Sequence, residues 1–371
     1  MALEVTEIAS LVITILFGVL LALFVVQTIK RKRSALALVV SLFFGLFAGI
    51  TAIFQSGKLI PISGDLSDIL MSLQLNLYGV QFFFFYIFLE CLISKDLNIK
   101  RFAVVFGLLL MQTFSLWLIV AFKSYDPGVN FQLWLFADLG YTLSGLFVYL
   151  LFGLPIYLKT YFYTRERKPM IFSFAMMLVG CGFILSLFSD YYDYIGSYPE
   201  WASTLDPLTN IVFVIGLLIF TITYLSDINY IYRLPNDIFM LMVLTKAGIP
   251  LYSVKLKSRK KVDIEGDLLS GMLSAINNVF EAIFQSEATI RSISSENVHL
   301  LMEPGEEIVS AVITDKPSFF LVQSLKRYTK EFETLFLQEL KDKNRDIAIY
   351  RGASEIIKPI FPFLIIDKES I

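Results

Sequence analysis

Few side chains in this sequence have the types that active-site chemistry usually needs. Its 371 residues include one histidine, His299. It lies in a strand-like run, 298–302, with no cysteine or second histidine nearby. The two cysteines, Cys91 and Cys181, fall in separate apolar runs, which argues against a disulfide framework and a thiolate metal site. There is no G-x-x-x-x-G-K-[ST] loop, and Gly266 and Gly271 flank a helix start without forming a phosphate fingerprint. A histidine-kinase phosphoacceptor would sit on an exposed helix ahead of an ATPase domain, and neither pattern is found. Glu303, Glu306 and Glu307 share a turn, where solvation is the expected state. The expectation is therefore a chain that is not an enzyme, with no catalytic residue, no metal and no cofactor.

The chemistry that remains is polar side chains inside apolar runs. Asp138 is the clearest, because an ionised group at a helix centre in a membrane costs about 2.5–3.5 kcal/mol on insertion scales. Gln74 and Asn76 lie at similar depth in another run. Together the three form a candidate ligand-binding pocket; the alternative is hydrogen bonding between helices. Glu90 can reach Arg101 or Lys159 as a structural ion pair. Gly45 and Gly49 form a G-x-x-x-G, suited to close packing inside a bundle or to a dimer contact. Lys255, Lys257, Arg259, Lys260 and Lys261 form a basic cluster. It suits either an anionic lipid surface, at about 1 kcal/mol per basic residue, or an ordinary solvated loop.

These residues have to be positioned by long apolar elements. The chain is 56% hydrophobic with a mean hydropathy of +0.68, against about 45–50% for a soluble domain. The excess is confined to the first 225 residues or so. Apolar windows predict seven transmembrane helices, near 8–29, 35–55, 68–93, 102–122, 132–158, 170–190 and 208–226. The acidic Glu4 and Glu7 precede the first run and Lys30, Arg31, Lys32 and Arg33 follow it, the reverse of a cleavable leader, so it is expected to stay as an anchor. Basic residues gather in alternate connections: 30–33; Lys95, Lys100 and Arg101; Lys159, Arg165, Arg167 and Lys168. The opposite connections hold only Lys58 and Lys123 as basic residues, beside Asp65, Asp68, Asp126, Asp193, Glu200 and Asp206. That bias places the N-terminus outside a cell membrane and the C-terminal part in the cytoplasm. Tyr191, Tyr192, Tyr194, Tyr198 and Trp201 suit an outer aromatic belt. The last run has no lysine for a retinal Schiff base. The third run ends Glu90-Cys91-Leu92, without the acidic-Arg-Tyr triplet of G-protein-coupled receptors. The net charge of −2 is split between loops and tail, and nucleic acid is not expected as a partner.

Past the short connection 228–235 the periodicity changes. Residues 238–245 read as a buried strand, Lys246–Pro250 as a turn around Gly248, and 251–256 as its hairpin partner. Asp267 caps a helix carrying Leu268, Met272, Ile276, Val279, Phe280 and Ile283. Strands are predicted near 289–294, 297–303 and 307–314, with a turn at Pro304-Gly305. Pro317 then opens a helix with Phe320, Leu325, Tyr328, Phe332 and Phe336, and a shorter helix lies near 350–358. The fold class is thus an all-α seven-transmembrane-helix bundle, residues 1–230, plus an α+β domain, residues 236–371, of order ββα-βββ-αα.

Val243-Leu-Thr-Lys-Ala-Gly-Ile-Pro-Leu251, Asp267-Leu-Leu-Ser-Gly-Met-Leu-Ser-Ala275 and Phe332-Glu333 resemble archaeal members of the longin and roadblock modules, over about residues 236–360. The resemblance implies a profilin-like sandwich that dimerises or binds a small GTPase. The apolar half is similar in topology to the seven-helix sensor regions of prokaryotic signalling proteins. The function expected is a membrane sensor or receptor-like scaffold whose partners are the lipid bilayer and a small GTPase or a second copy. The alternative is a transporter or channel with a regulatory domain, in which Asp138 carries a proton or cation.

Overall fold

The computed structural model describes residues 5–31, 36–55, 64–122, 131–195, 204–226, 236–256, 258, 271–272, 291–296, 298–342, 346–361 and 364. The chain divides into two compact units, Met1–Glu90 with Leu97–Ile228, and Cys91–Asp96 with Asn229–Ile371.

Each of the seven predicted apolar runs is helical: α1 Val5–Arg31, α2 Leu36–Gln55, α3 Gly64–Ile93, α4 Ile99–Phe122, a fifth span of three pieces, α7 Arg167–Ile195 and α8 Leu205–Ser226. The fifth span is α5 Phe131–Gly145, a π-helical segment Leu146–Gly153, and α6 Leu154–Thr164. In the π segment the Leu154 amide donates to the Tyr149 carbonyl, five residues back. Pro155 follows at once, and a proline has no N–H for the ladder and crowds the carbonyl four residues before it. A wider turn just ahead relieves that crowding. All seven are long and apolar enough to cross a bilayer. Large apolar side chains cover their outer surface; Phe114, Trp117 and Phe122 of α4 are 66%, 57% and 70% exposed. Lipid is the solvent that makes such a surface favourable. The first unit is that of a multi-pass membrane protein.

α3 has the most buried of the seven spans, half of its window lying inside the structure. In the aromatic run 82–86, Phe82, Phe85 and Tyr86 are buried, at 3%, 4% and 0% exposure, while Phe83 and Phe84 are half-buried. Their rings meet neighbours on several sides: Phe82 with Tyr141 and Phe183, Phe83 with Phe102, Phe84 with Phe44, Tyr86 with Phe152. The chain ends of the bundle close where Phe24 of α1 stacks on Tyr224 of α8, centroids 4.3 Å apart. The G-x-x-x-G packs within the bundle. A Cβ at Gly45 would stand 2.7 Å from the Phe17 ring, and one at Gly49 would collide with the Thr14 hydroxyl.

The second unit holds a five-stranded antiparallel sheet of order β2-β1-β5-β4-β3. Its strands are β1 Ile238–Thr245, β2 Pro250–Lys255, β3 Ser292–Ser294, β4 His299–Pro304 and β5 Ile308–Thr314. Gly248 turns the first hairpin with φ 82°, a conformation that costs glycine nothing. β1 is buried from Ile238 to Leu244, which explains its unbroken apolar run rather than an alternating one. α9, Phe319–Leu335, starts two residues after Pro317: the Ser318 hydroxyl accepts from the Leu321 amide at 3.2 Å. It buries Phe320, Leu325, Tyr328 and Phe332, the predicted face. Glu333 on α9 accepts from the backbone amides of Glu307 and Ile308, 2.9 and 3.4 Å away, and so braces the β4–β5 turn. Two short elements follow, α10 Leu337–Lys341 and a 3-10 turn Ile349–Gly352, before α11, Ala353–Ile360. Of the helix predicted after Asp267, only Gly271 and Met272 are among the described residues, and both are helical.

Two outcomes follow from this packing. Gly49→Val should lower the melting temperature of the detergent-solubilised chain, at an overpacking cost of about 1–3 kcal/mol; an unchanged melt would place α1 and α2 further apart than described. The Tyr328 hydroxyl is buried with no hydrogen-bond partner among the described residues. Burial, with Tyr252 adding to it, holds its pKa well above the ordinary tyrosine value. The folded chain therefore keeps a proton that the unfolded chain releases, and this contribution is lost as pH rises past about 10. Tyr328→Phe should reduce the alkaline loss of stability while changing neutral stability by no more than about 1 kcal/mol. Denaturant melts of the full chain at neutral and alkaline pH check both halves of that statement.

Candidate functional site

A cavity of about 160 Å³ lies inside the helical unit. Helical spacing sets its walls. Gln74, Tyr78, Gln81 and Phe85 recur at three- and four-residue intervals along α3, which puts them on one stripe. α7 contributes Ala175, Val179 and Phe183 by the same rule, and α8 contributes Asn210, Phe213 and Leu217. Tyr141 comes from α5 and Tyr149 from the π segment, while Ser10 and Ser41 come from α1 and α2.

Gln81 organises the polar side of this space and is only 2% exposed. Its Nε2 donates to the Ser41 hydroxyl and to the Tyr149 hydroxyl, each at 3.2 Å. Ser41 in turn donates to the Gln81 backbone carbonyl at 3.0 Å. One amide thus joins α2, α3 and the π segment. The Asn210 side chain donates to the Asp206 carbonyl at 3.0 Å. No aspartate, glutamate, lysine, arginine or histidine side chain is among those lining the cavity.

The residues singled out in the sequence do not share one site. Gln74 lines the cavity. Asn76, two positions on, points elsewhere, because side chains at i and i+2 lie on different faces of a helix. Its Oδ1 accepts from the Thr113 hydroxyl of α4 at 3.1 Å, the interhelical bonding considered as the alternative. Asp138 is half-buried, one turn from Tyr141. It is not among the lining side chains. Of the basic cluster, Lys255 is exposed at the end of β2, while Lys257, Arg259, Lys260 and Lys261 lie outside the described residues. His299 sits in β4, with Nδ1 3.0 Å from the Ser294 hydroxyl.

Glu90 pairs with Arg101. Arg101 Nε and Nη2 reach its two carboxylate oxygens at 3.1 and 2.5 Å, and the guanidinium lies 5.0 Å over the Phe152 ring. Glu90 is fully buried, so the forked geometry offsets its desolvation.

Sequence reasoning missed Gln81, Tyr141, Tyr149 and Asn210. It also missed Gln112, wholly buried on α4, whose Nε2 donates to the Leu75 carbonyl at 2.7 Å. Gly79 and Gly140 leave room for it, since a Cβ on either would collide with its side chain. The available signal was the recurrence of Gln74, Tyr78 and Gln81 at helical spacing.

The bonds predict a ranking of stability losses. Arg101→Ala should cost most, about 3 kcal/mol, because the buried Glu90 keeps a charge without its partner. Gln81→Leu should cost about 1–2 kcal/mol and Asn76→Leu about 0.6 kcal/mol. Melts of the three variants in one detergent test the order, and Asn76→Leu outranking Arg101→Ala would contradict it.

No protein-family model matches this chain, nor does any curated protein or solved structure.

Proposed function

We propose that the chain is a membrane sensor, in which a small ligand in the helical cavity biases a C-terminal unit that binds a protein partner. The observation that carries this reading is the cavity itself. Six spans converge on a space large enough for a small molecule, walled by aromatic rings and by amide and hydroxyl groups. Pockets between helices with a few placed polar groups are the usual form of a small-molecule site. The alternation of basic and acidic connections supports an outside N-terminus and a cytoplasmic C-terminal unit. The antiparallel sheet with α9 and α11 supports the reading of that unit as a longin- or roadblock-like module. Its partner is then a small GTPase or a second copy.

Three experiments test the proposal on the full chain, in nanodiscs, whole cells and proteoliposomes. Val179→Phe fills the cavity, and hydrogen exchange at β5 and α9 should differ between this variant and the parent. Identical protection would remove the sensor reading. A cysteine introduced as Glu306→Cys, with Cys91 and Cys181 replaced by alanine, should react with an impermeant maleimide only after the membrane is opened. Labelling of intact cells would reverse the orientation. Ion uptake into proteoliposomes that is abolished by Asp138→Asn would point instead to a transporter.

A further inference from the structure

The cavity walls also restrict what can occupy them. We infer that the site takes a small uncharged molecule built on one flat apolar ring and carrying a single hydroxyl or N–H donor. The inference rests on the sensor reading for its purpose, but its chemistry comes from the walls alone.

Size sets the first limit. A space of about 160 Å³ compares with an apolar cavity of about 150 Å³ that accommodates benzene. One ring with a few substituent atoms fits, and a sterol or a lipid does not. Charge sets the second. The lining side chains include no acidic, basic or imidazole group to compensate an ion. Burying an ion without a partner costs more than a handful of hydrogen bonds returns.

Shape sets the third limit. Phe82 meets Phe183 edge-to-face, centroids 5.3 Å apart at 87°. Phe183 meets Phe213 at 4.8 Å and 65°, and Tyr141 meets Phe82 at 5.4 Å. These rings form a wall of faces and edges against which a flat ring packs in the offset and T-shaped geometries that aromatics prefer. The fourth limit is the polarity of the free hydrogen-bonding sites. Both Gln81 Nε2 hydrogens are used, by Ser41 and Tyr149, while Asn210 gives one of its two to the Asp206 carbonyl. What Gln81 offers a ligand is therefore its side-chain carbonyl oxygen, which is an acceptor. A ligand that brings a donor satisfies it. A purely apolar ring leaves it to water.

Saturation-transfer NMR on the full-length chain in nanodiscs tests this with five probes: phenol, indole, toluene, benzoate and benzylamine. Phenol and indole should bind saturably and displace one another. Toluene should bind more weakly, and benzoate and benzylamine weaker still, by at least about tenfold. Val179→Phe or Leu217→Trp, filling the space from α7 and from α8, should remove the phenol signal. Gln81→Leu should narrow the gap between phenol and toluene. Charged probes equal to phenol would overturn the inference. So would a phenol signal that survives a folded cavity-filling variant, since that is partition into the bilayer only. Should neither filling variant fold, mutual displacement in the parent chain decides: no displacement overturns the site. Selective phenol binding without any change in exchange at β5 and α9 would leave this inference standing and remove the sensor reading. Binding of charged probes together with such a change would do the opposite.

Discussion

Gln81 shows the constraint under which the helical unit is built. In hydrocarbon a side-chain amide has no water to turn to, so its donors and acceptors must find partners on neighbouring helices. Here the partners are a serine on α2 and a tyrosine on the π segment, and the amide sits on the most buried span. Satisfying that group fixes the rotation of α3 about its own axis. Once α3 is oriented, the Gln74–Tyr78–Gln81–Phe85 stripe faces inward and Asn76 is turned toward α4. The cavity and the α3–α4 contact are therefore two sides of one choice.

Close approach of backbones is the other half of the design. Without a hydrophobic driving force between helices in lipid, packing and hydrogen bonds must hold them together. Small residues make that possible. Gly45 and Gly49 let α1 lie against α2, and Gly79 and Gly140 make the slot that the Gln112 side chain occupies. Near the end of α3 the Glu90–Arg101 pair serves a similar purpose with charge rather than contact.

Much of the architecture was legible before any coordinates, and the reason is physical. Spans are set by bilayer thickness, so length and hydropathy alone locate them. Strands β3 to β5 and the face of α9 follow from simple periods and turn residues. The site was far less legible. Gln74 and Asn76 look alike in a hydropathy profile, and only their angular separation on the helix divides a cavity residue from a helix contact. Asp138 drew attention because charge in a membrane is expensive, yet the side chains around the cavity are neutral amides and hydroxyls, whose cost is small enough to escape notice. The aromatic run 82–86 is apolar on every side, a composition that lipid and neighbouring helices favour equally, so hydropathy does not tell which of its rings are buried.

The π segment has a consequence for the fifth span as a whole. Its wider turn amounts to one residue inserted into an α-helical ladder, and one residue corresponds to about 100° of rotation. The stretch carrying Asp138 and Tyr141 and the stretch beyond Gly153 are therefore out of phase, and no single helical wheel describes both. A ladder holding one surplus residue also has somewhere to lose it. If the bulge migrates by a turn, every side chain between its old and new positions swings round while both ends of the span stay where they are. The span thus presents two differently phased faces to its neighbours, and Tyr149 lies on the turn where the phase changes.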